Sequence, residues 1–143
     1  MGKHFDIGYF KKPVKVRARV AKKRTIINKI YAWELGKEYY DGNRLNGYGG
    51  FKYDGRWKML LPKIIKKYKL TKNSKVLDLG CKKGFLLKDL NILIPGIKSY
   101  GIENHSYALK KAAKCKSKLI KSEYYKIPFE DKYFDFVIAF NSL

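Results

Sequence analysis

The stretch Val76-Leu77-Asp78-Leu79-Gly80-Cys81-Lys82-Lys83-Gly84-Phe85-Leu86-Leu87 constrains the fold more than any other. An apolar run ends in an acid, passes through a glycine turn and enters an amphipathic segment. That is a strand, a tight loop and a helix start, the arrangement with which α/β proteins open a nucleotide or cofactor site. Gly80 stands where the strand must turn sharply, and Gly84 where the helix must approach the strand without a Cβ. Free N–H groups at the helix start can hold an anionic group. The dinucleotide fingerprint needs G-x-G-x-x-G, but Lys82 and Phe85 occupy the second and third glycine positions here. Close backbone approach to a pyrophosphate is lost, which argues against NAD and FAD. A ligand with a small carboxylate fits better. Taken alone, the loop also reads as an ordinary strand-to-helix turn.

Downstream segments extend the pattern. A strand over 75–79 leads to a helix over 84–91, a turn at Pro95-Gly96 and a strand at Ser99-Tyr100-Gly101-Ile102. A helix over 105–115, a short strand near Leu119-Ile120 and a loop over 122–133 follow. The last strand, 134–140, is nearly all apolar, as a strand covered on both faces should be. Alternation of this kind predicts an α/β fold with a parallel sheet and right-handed crossovers. Glu103 ends the second strand, where an acid reaches both ribose hydroxyls of an adenosine; the alternative is a surface Glu after a strand. An acid in the 122–133 loop can accept from an adenine amino group, and Ile127-Pro128-Phe129 can wall the ring. That loop otherwise simply packs on the sheet edge.

Upstream, the chain changes character twice. Residues 1–24 carry Lys11, Lys12, Lys15, Arg17, Arg19, Lys22, Lys23 and Arg24 and read as a flexible basic arm. Residues 25–70 read as a helical and lid region. Ile26, Ile30 and Trp33 fall on one face of a helix over 25–35 that Gly36 would cap. A loop over 38–56, rich in Gly, Asn, Asp and aromatics, is long enough to be functional; it either lids the site with Tyr48, Phe51 or Tyr53 or packs as a satellite aromatic cluster. A helix over 58–68 turns Leu61, Ile64, Ile65 and Tyr68 inward, with Pro62 acceptable only in its first turn. Residues 71–143 form the Rossmann-like half.

The net charge of +21 comes from 33 basic against 12 acidic residues. Of the basic residues 28 are Lys and only 5 are Arg, whereas nucleic-acid readers favour Arg for bidentate contacts. The charge therefore reads as compositional, with nucleic acid bound through the basic arm as the sharper alternative. Cys81 and Cys115 fit no zinc spacing and no disulfide framework, so the chain reads as reduced and cytoplasmic, with no metal. The N-terminus lacks the apolar region of a signal peptide, and no apolar run is long enough to cross a membrane.

Three motifs in order resemble those of class I S-adenosylmethionine-dependent methyltransferases. Val76-Leu77-Asp78-Leu79-Gly80-Cys81-x-x-Gly84 looks like the first motif, and Gly101-Ile102-Glu103 like the acidic ribose motif. Ile127-Pro128-Phe129-x-Asp131-x-x-Phe134-Asp135-x-Val137 is similar to the segment before the fourth strand. The stretch from Gly36 through Phe51 is similar to a bacterial subgroup associated with surface-carbohydrate genes. The resemblance implies a Rossmann-like parallel sheet and S-adenosylmethionine as cofactor. The acceptor is unidentified, a small molecule or carbohydrate-related compound first. Asp78, Gly80 and Gly84 would shape the methionine end, Glu103 would bind the ribose, Glu123 and Tyr124 would flank the adenine, and Cys81 and Asn104 would also bind the cofactor. Phe140 and Asn141 would lie beside the sulfonium. Catalysis would be largely positioning for an in-line displacement, and no catalytic residue is assigned. Lys82 replaces the usual glycine and would either crowd the methionine end or point to solvent. The family sheet has seven strands, and this chain stops past the fourth. The expectation is therefore a truncated or complemented domain of about four strands whose exposed fourth strand is a pairing edge. The rival outcome is an inactive cofactor-binding fragment.

Overall fold

The computed structural model describes residues 23–140. The basic arm, apart from its last two residues, and Asn141 lie outside them. The elements run α1 (Ile26–Glu34), α2 (Lys37–Asp41), a 3₁₀ turn (Arg56–Met59), α3 (Leu61–Tyr68), β1 (Lys75–Leu79), α4 (Phe85–Leu93), β2 (Lys98–Glu103), α5 (Ser106–Lys110), β3 (Lys118–Lys121) and β4 (Phe136–Ile138). The four strands form one parallel sheet in the order β3-β2-β1-β4. The α/β expectation is met, with β1 central and Asp78 paired in register with both Gly101 and Ile138.

Alternation along β1 splits the core in two. Val76 faces a cluster with Leu61, Ile64, Leu70, Cys81, Leu86, Leu87, Leu90 and Ile97 under α3 and α4. Leu77 and Leu79 face the other side, with Ile102 and the partly buried Tyr100, Tyr124, Phe129 and Phe134. This two-sided burial is why the strand reads as a nearly continuous apolar run.

Several boundaries differ from the sequence reading, each for a local reason. The α1 face of Ile26, Ile30 and Trp33 is not in the core: Ile26 is 78% exposed and Trp33 86%. Polar contacts hold α1 instead. Thr25 and Asn28 form a reciprocal capping box, and Asn28 Nδ2 donates to Asn46 Oδ1 at 2.8 Å. Leu35, not Gly36, takes the left-handed cap at φ 51°, and Gly36 opens α2. The 38–56 segment is thus partly helical. Pro62 does sit in the first turn of α3. Tyr68 is half exposed and packs its ring on Phe136, centroids 4.4 Å apart.

The helix expected over 105–115 is short. Past Lys110 the backbone leaves it, and Ala113 N–H donates to the Lys83 carbonyl at 2.8 Å. β4 spans three residues rather than seven, because Phe134 turns into the second cluster and Asp135 is tied to Lys75 at 2.7 and 2.9 Å. Nor is β4 covered on both faces, since Val137 is 49% exposed. Its only strand neighbour among the described residues is β1.

Gly84 sits at φ +70°, which is what demands glycine there; an added Cβ would meet nothing closer than 3.6 Å. The close approach expected at Gly84 is found at Gly101 instead. A Cβ there would lie 2.6 Å from Cys81 Sγ and 2.8 Å from both Leu119 and Leu87.

Candidate functional site

The carboxyl ends of β1 and β2 open into a cleft, the expected ligand position on an open α/β sheet. The segment from α2 to the 3₁₀ turn roofs it. Two cavities result, and Tyr48 and Lys82 line both. The first, about 330 Å³, is bounded by Asp78, Gly80 and Cys81 below and by Phe51, Arg56, Trp57 and Phe140 above. The second, about 660 Å³, is bounded by Tyr39, Tyr40, Glu103, Asn104, His105 and Tyr124.

Two buried carboxylates differ sharply. Burial pushes Asp78 up to about 7, with Lys82 pulling it down and Glu103 pushing it up. Glu103 is instead wrapped in donors. Lys82 N–H reaches Oε2 at 2.9 Å. Oε1 meets His105 N–H at 3.0 Å, His105 Nδ1 at 3.1 Å and the Tyr124 hydroxyl at 2.9 Å. The two buried side-chain atoms without a partner among the described residues, Arg24 Nε and Asn104 Oδ1, both belong to residues lining the second cavity. An orphaned donor and an orphaned acceptor in one cavity are what a polar ligand would complete.

Aromatic rings build the roof. Tyr48 stacks on Phe51 at 4.2 Å and on Tyr40 at 5.8 Å, and Phe51 meets Phe85 at 4.8 Å. Trp57 and Phe140 meet edge to face at 4.9 Å. Tyr53 does not line the cavities. Its hydroxyl donates to Asp89 at 2.6 Å, which pushes the phenol up to about 12.

Two polar anchors fasten this roof, and sequence reasoning passed over both. Lys83 is buried and spends all three ammonium donors, on Asp41 Oδ1 and Oδ2 at 2.7 and 2.8 Å and on the Phe51 carbonyl at 3.0 Å. Tyr107 adds a bond to Asp41 at 2.8 Å. Burial opposes ionisation of Asp41, but the Lys83 and Tyr107 bonds hold it below its ordinary value. Asp89 is fully buried and takes Tyr53 O–H and, at 3.1 Å, Trp57 N–H. Lys83 hides in a charged run. Asp89 had a legible signal, an acid inside the leucine face of α4.

Of the residues singled out from sequence, Asp78, Gly80, Cys81 and Phe140 meet in the first cavity, and Glu103, Asn104 and Tyr124 in the second. Burial pushes the Cys81 thiol up, so it acts as an apolar wall. Gly84 lies behind the cleft as the α4 cap. Glu123 is exposed and joins only through Asn104 Nδ2 at 3.4 Å. Ile127, Pro128 and Phe129 wall neither cavity. Phe129 packs on Tyr100, Tyr133 and Phe134 instead, and the three border a separate shallow hollow.

Residues 77–143 match the profile of the family described as "Methyltransferase domain". The match runs from residue 77 onward and covers just under half of the chain. One solved structure shares the fold, and two more are similar to part of the chain. The plantazolicin methyltransferase BpumL, in complex with SAH, is 19% identical with a TM-score of 0.54, over 85% of this chain and 50% of that one. A SAM-dependent methyltransferase from Aquifex aeolicus is 25% identical over 62% of this chain and 57% of its own, with a TM-score of 0.47. The MccD protein is 27% identical over 54% and 37%, with a TM-score of 0.49. The chain thus spans between 37% and 57% of the length of these proteins. No curated protein sequence matches it. The matched segment holds the glycine loop and strands β2 to β4, whereas Tyr48, Phe51 and Trp57 of the roof precede it.

Proposed function

We propose that this chain binds S-adenosylmethionine across the ends of β1 and β2 and forms the cofactor half of a methyltransferase. One observation supports the reading: Asp78 lines one chamber of the cleft, and Glu103 lines the other beside the orphaned Asn104 Oδ1. Asp78 would take the ammonium of the methionine end, and Gly80 and Cys81 would shape that pocket. Glu103 would take the ribose, and Asn104 Oδ1 a hydroxyl or amino proton. Glu123 and Tyr124 would flank the adenine, while Gly84 sets the start of α4.

S-adenosylmethionine supplies, when bound, a methyl group on a positively charged sulfur. Tyr48, Phe51, Trp57 and Phe140 would offer that charge aromatic faces and keep water away. The chain's part in transfer is then orientation and exclusion of water, and no base is assigned. Segment 25–70 serves as the lid, anchored by Lys83 and Asp89. For the acceptor we infer a compact small molecule, with carbohydrate-related compounds included. The plantazolicin methyltransferase BpumL, to which the chain is similar in fold, is solved in complex with desmethylPZN analogues and SAH, and this supports a non-polymeric acceptor.

Isothermal titration of the chain with S-adenosylhomocysteine tests the proposal. Saturable one-site binding that Glu103→Ala weakens at least tenfold is the expected result, that substitution removing charge-assisted bonds. Binding left intact in Glu103→Ala would overturn the assignment.

A further inference from the structure

Glu103 is the acid best placed for a ribose, yet its side chain is only 1% exposed. A ligand hydroxyl therefore cannot reach it until something withdraws. Of its four donors, two are backbone N–H groups, Lys82 in the glycine loop and His105 at the start of α5, fixed by the fold. A third, the His105 ring, belongs to that same residue and reaches back to the acid across one intervening residue. The fourth is the Tyr124 hydroxyl at 2.9 Å, from a residue in the irregular segment after β3. Its neighbours Glu123 and Tyr125 are exposed, Tyr125 by 88%. Tyr124 is thus the one donor carried by neither the glycine loop nor the start of α5, and it lines the second cavity directly.

We propose that Tyr124 is a removable cap on Glu103, its phenol hydroxyl standing where a ribose hydroxyl binds, so that it sets both affinity and selectivity for diol-bearing ligands. This rests on the cofactor reading above. It reverses the simple expectation for a residue beside the adenine. Part of the ligand's hydrogen-bond energy goes into replacing a bond the protein already makes, so the gain per hydroxyl is small. Removing the phenol oxygen relieves that competition and leaves the ring packed against Leu77, Leu79 and Ile102. Burial and the Glu103 charge both push the Tyr124 phenol up, so it remains a donor across the physiological range.

The test titrates wild type, Tyr124→Phe and Tyr124→Ala with S-adenosylhomocysteine and with its 2′,3′-dideoxy analogue, folding being checked by thermal melting. Tyr124→Phe is expected to bind S-adenosylhomocysteine roughly tenfold more tightly, the scale of one charge-assisted bond no longer broken. Its affinity for the dideoxy analogue should stay at the wild-type value. Tyr124→Ala, which also removes the ring beside the adenine, should lose affinity for both ligands alike. Should the Phe variant fail to fold, wild type decides, since loss of both ribose hydroxyls should cost it less than about tenfold in affinity and a larger loss overturns the cap. Equal or weaker binding of S-adenosylhomocysteine by Tyr124→Phe overturns the cap. An equal gain for both ligands also overturns it, since added space rather than the hydroxyl would then be responsible. No binding by folded wild type and variants alike overturns the cofactor reading itself.

Discussion

Asp78 makes a titration of the site directly observable. Burial lifts it to about 7, above the ordinary carboxylate value of about 3.9. Between these values the folded chain holds a proton that the unfolded chain has lost. This group's contribution to stability therefore declines as pH rises from about 4 to about 7. Ligand binding runs the other way, because the ionised acid is the form that receives an ammonium. Affinity for S-adenosylhomocysteine should rise up to about tenfold per pH unit below 7 and level off above it. Asp78→Asn should flatten that profile, and a slope surviving in the variant would refute the assignment. Gly101 gives a second residue-scale expectation. A methyl there meets Cys81, Leu119 and Leu87 within 2.8 Å, so Gly101→Ala should cost about 1–3 kcal/mol, read as a lower denaturant midpoint.

The elements show where sequence legibility stops. β1, the glycine loop, α4 and β2 were readable because apolar alternation, turn chemistry and core burial all agree there. The α1 face misled because periodicity reports amphipathicity, not what the apolar face touches; Asn28 and Asn46 decided its placement. Substituting Trp33 with Ser should therefore change stability by less than about 0.5 kcal/mol in thermal melts. In the site, Asp78 and Glu103 were legible from their positions at strand ends. The roof anchors were not, because Lys83 and Asp41 meet only after the chain has folded, and a lysine within a basic run carries no sign of burial. Lys83→Met leaves Asp41 with only the Tyr107 hydroxyl and the Phe51 N–H. Asp41 keeps some solvent, so the loss should be about 1–3 kcal/mol, below that of a fully buried pair. Proteolysis should then concentrate within 42–56. A midpoint unchanged from wild type would show that the anchor does not hold the roof.

Across the whole molecule, a parallel sheet meets a large positive charge. β4 presents an edge with a half-exposed Val137, which favours strand addition. The charge of +21 opposes it by repulsion between copies. The 143-residue chain should thus self-associate more as salt screens that repulsion, and Val137→Lys should suppress the effect in light scattering. Constant monomer mass at all ionic strengths would contradict this. The central claim concerns where the ligand lies, and backbone amide shifts report that most directly. On titration with S-adenosylhomocysteine, the account predicts saturable shifts at Gly80–Lys82, Glu103–His105 and Tyr124, with α1 unmoved. Shifts confined to the lysine-rich surface, or none in a folded chain, would contradict it.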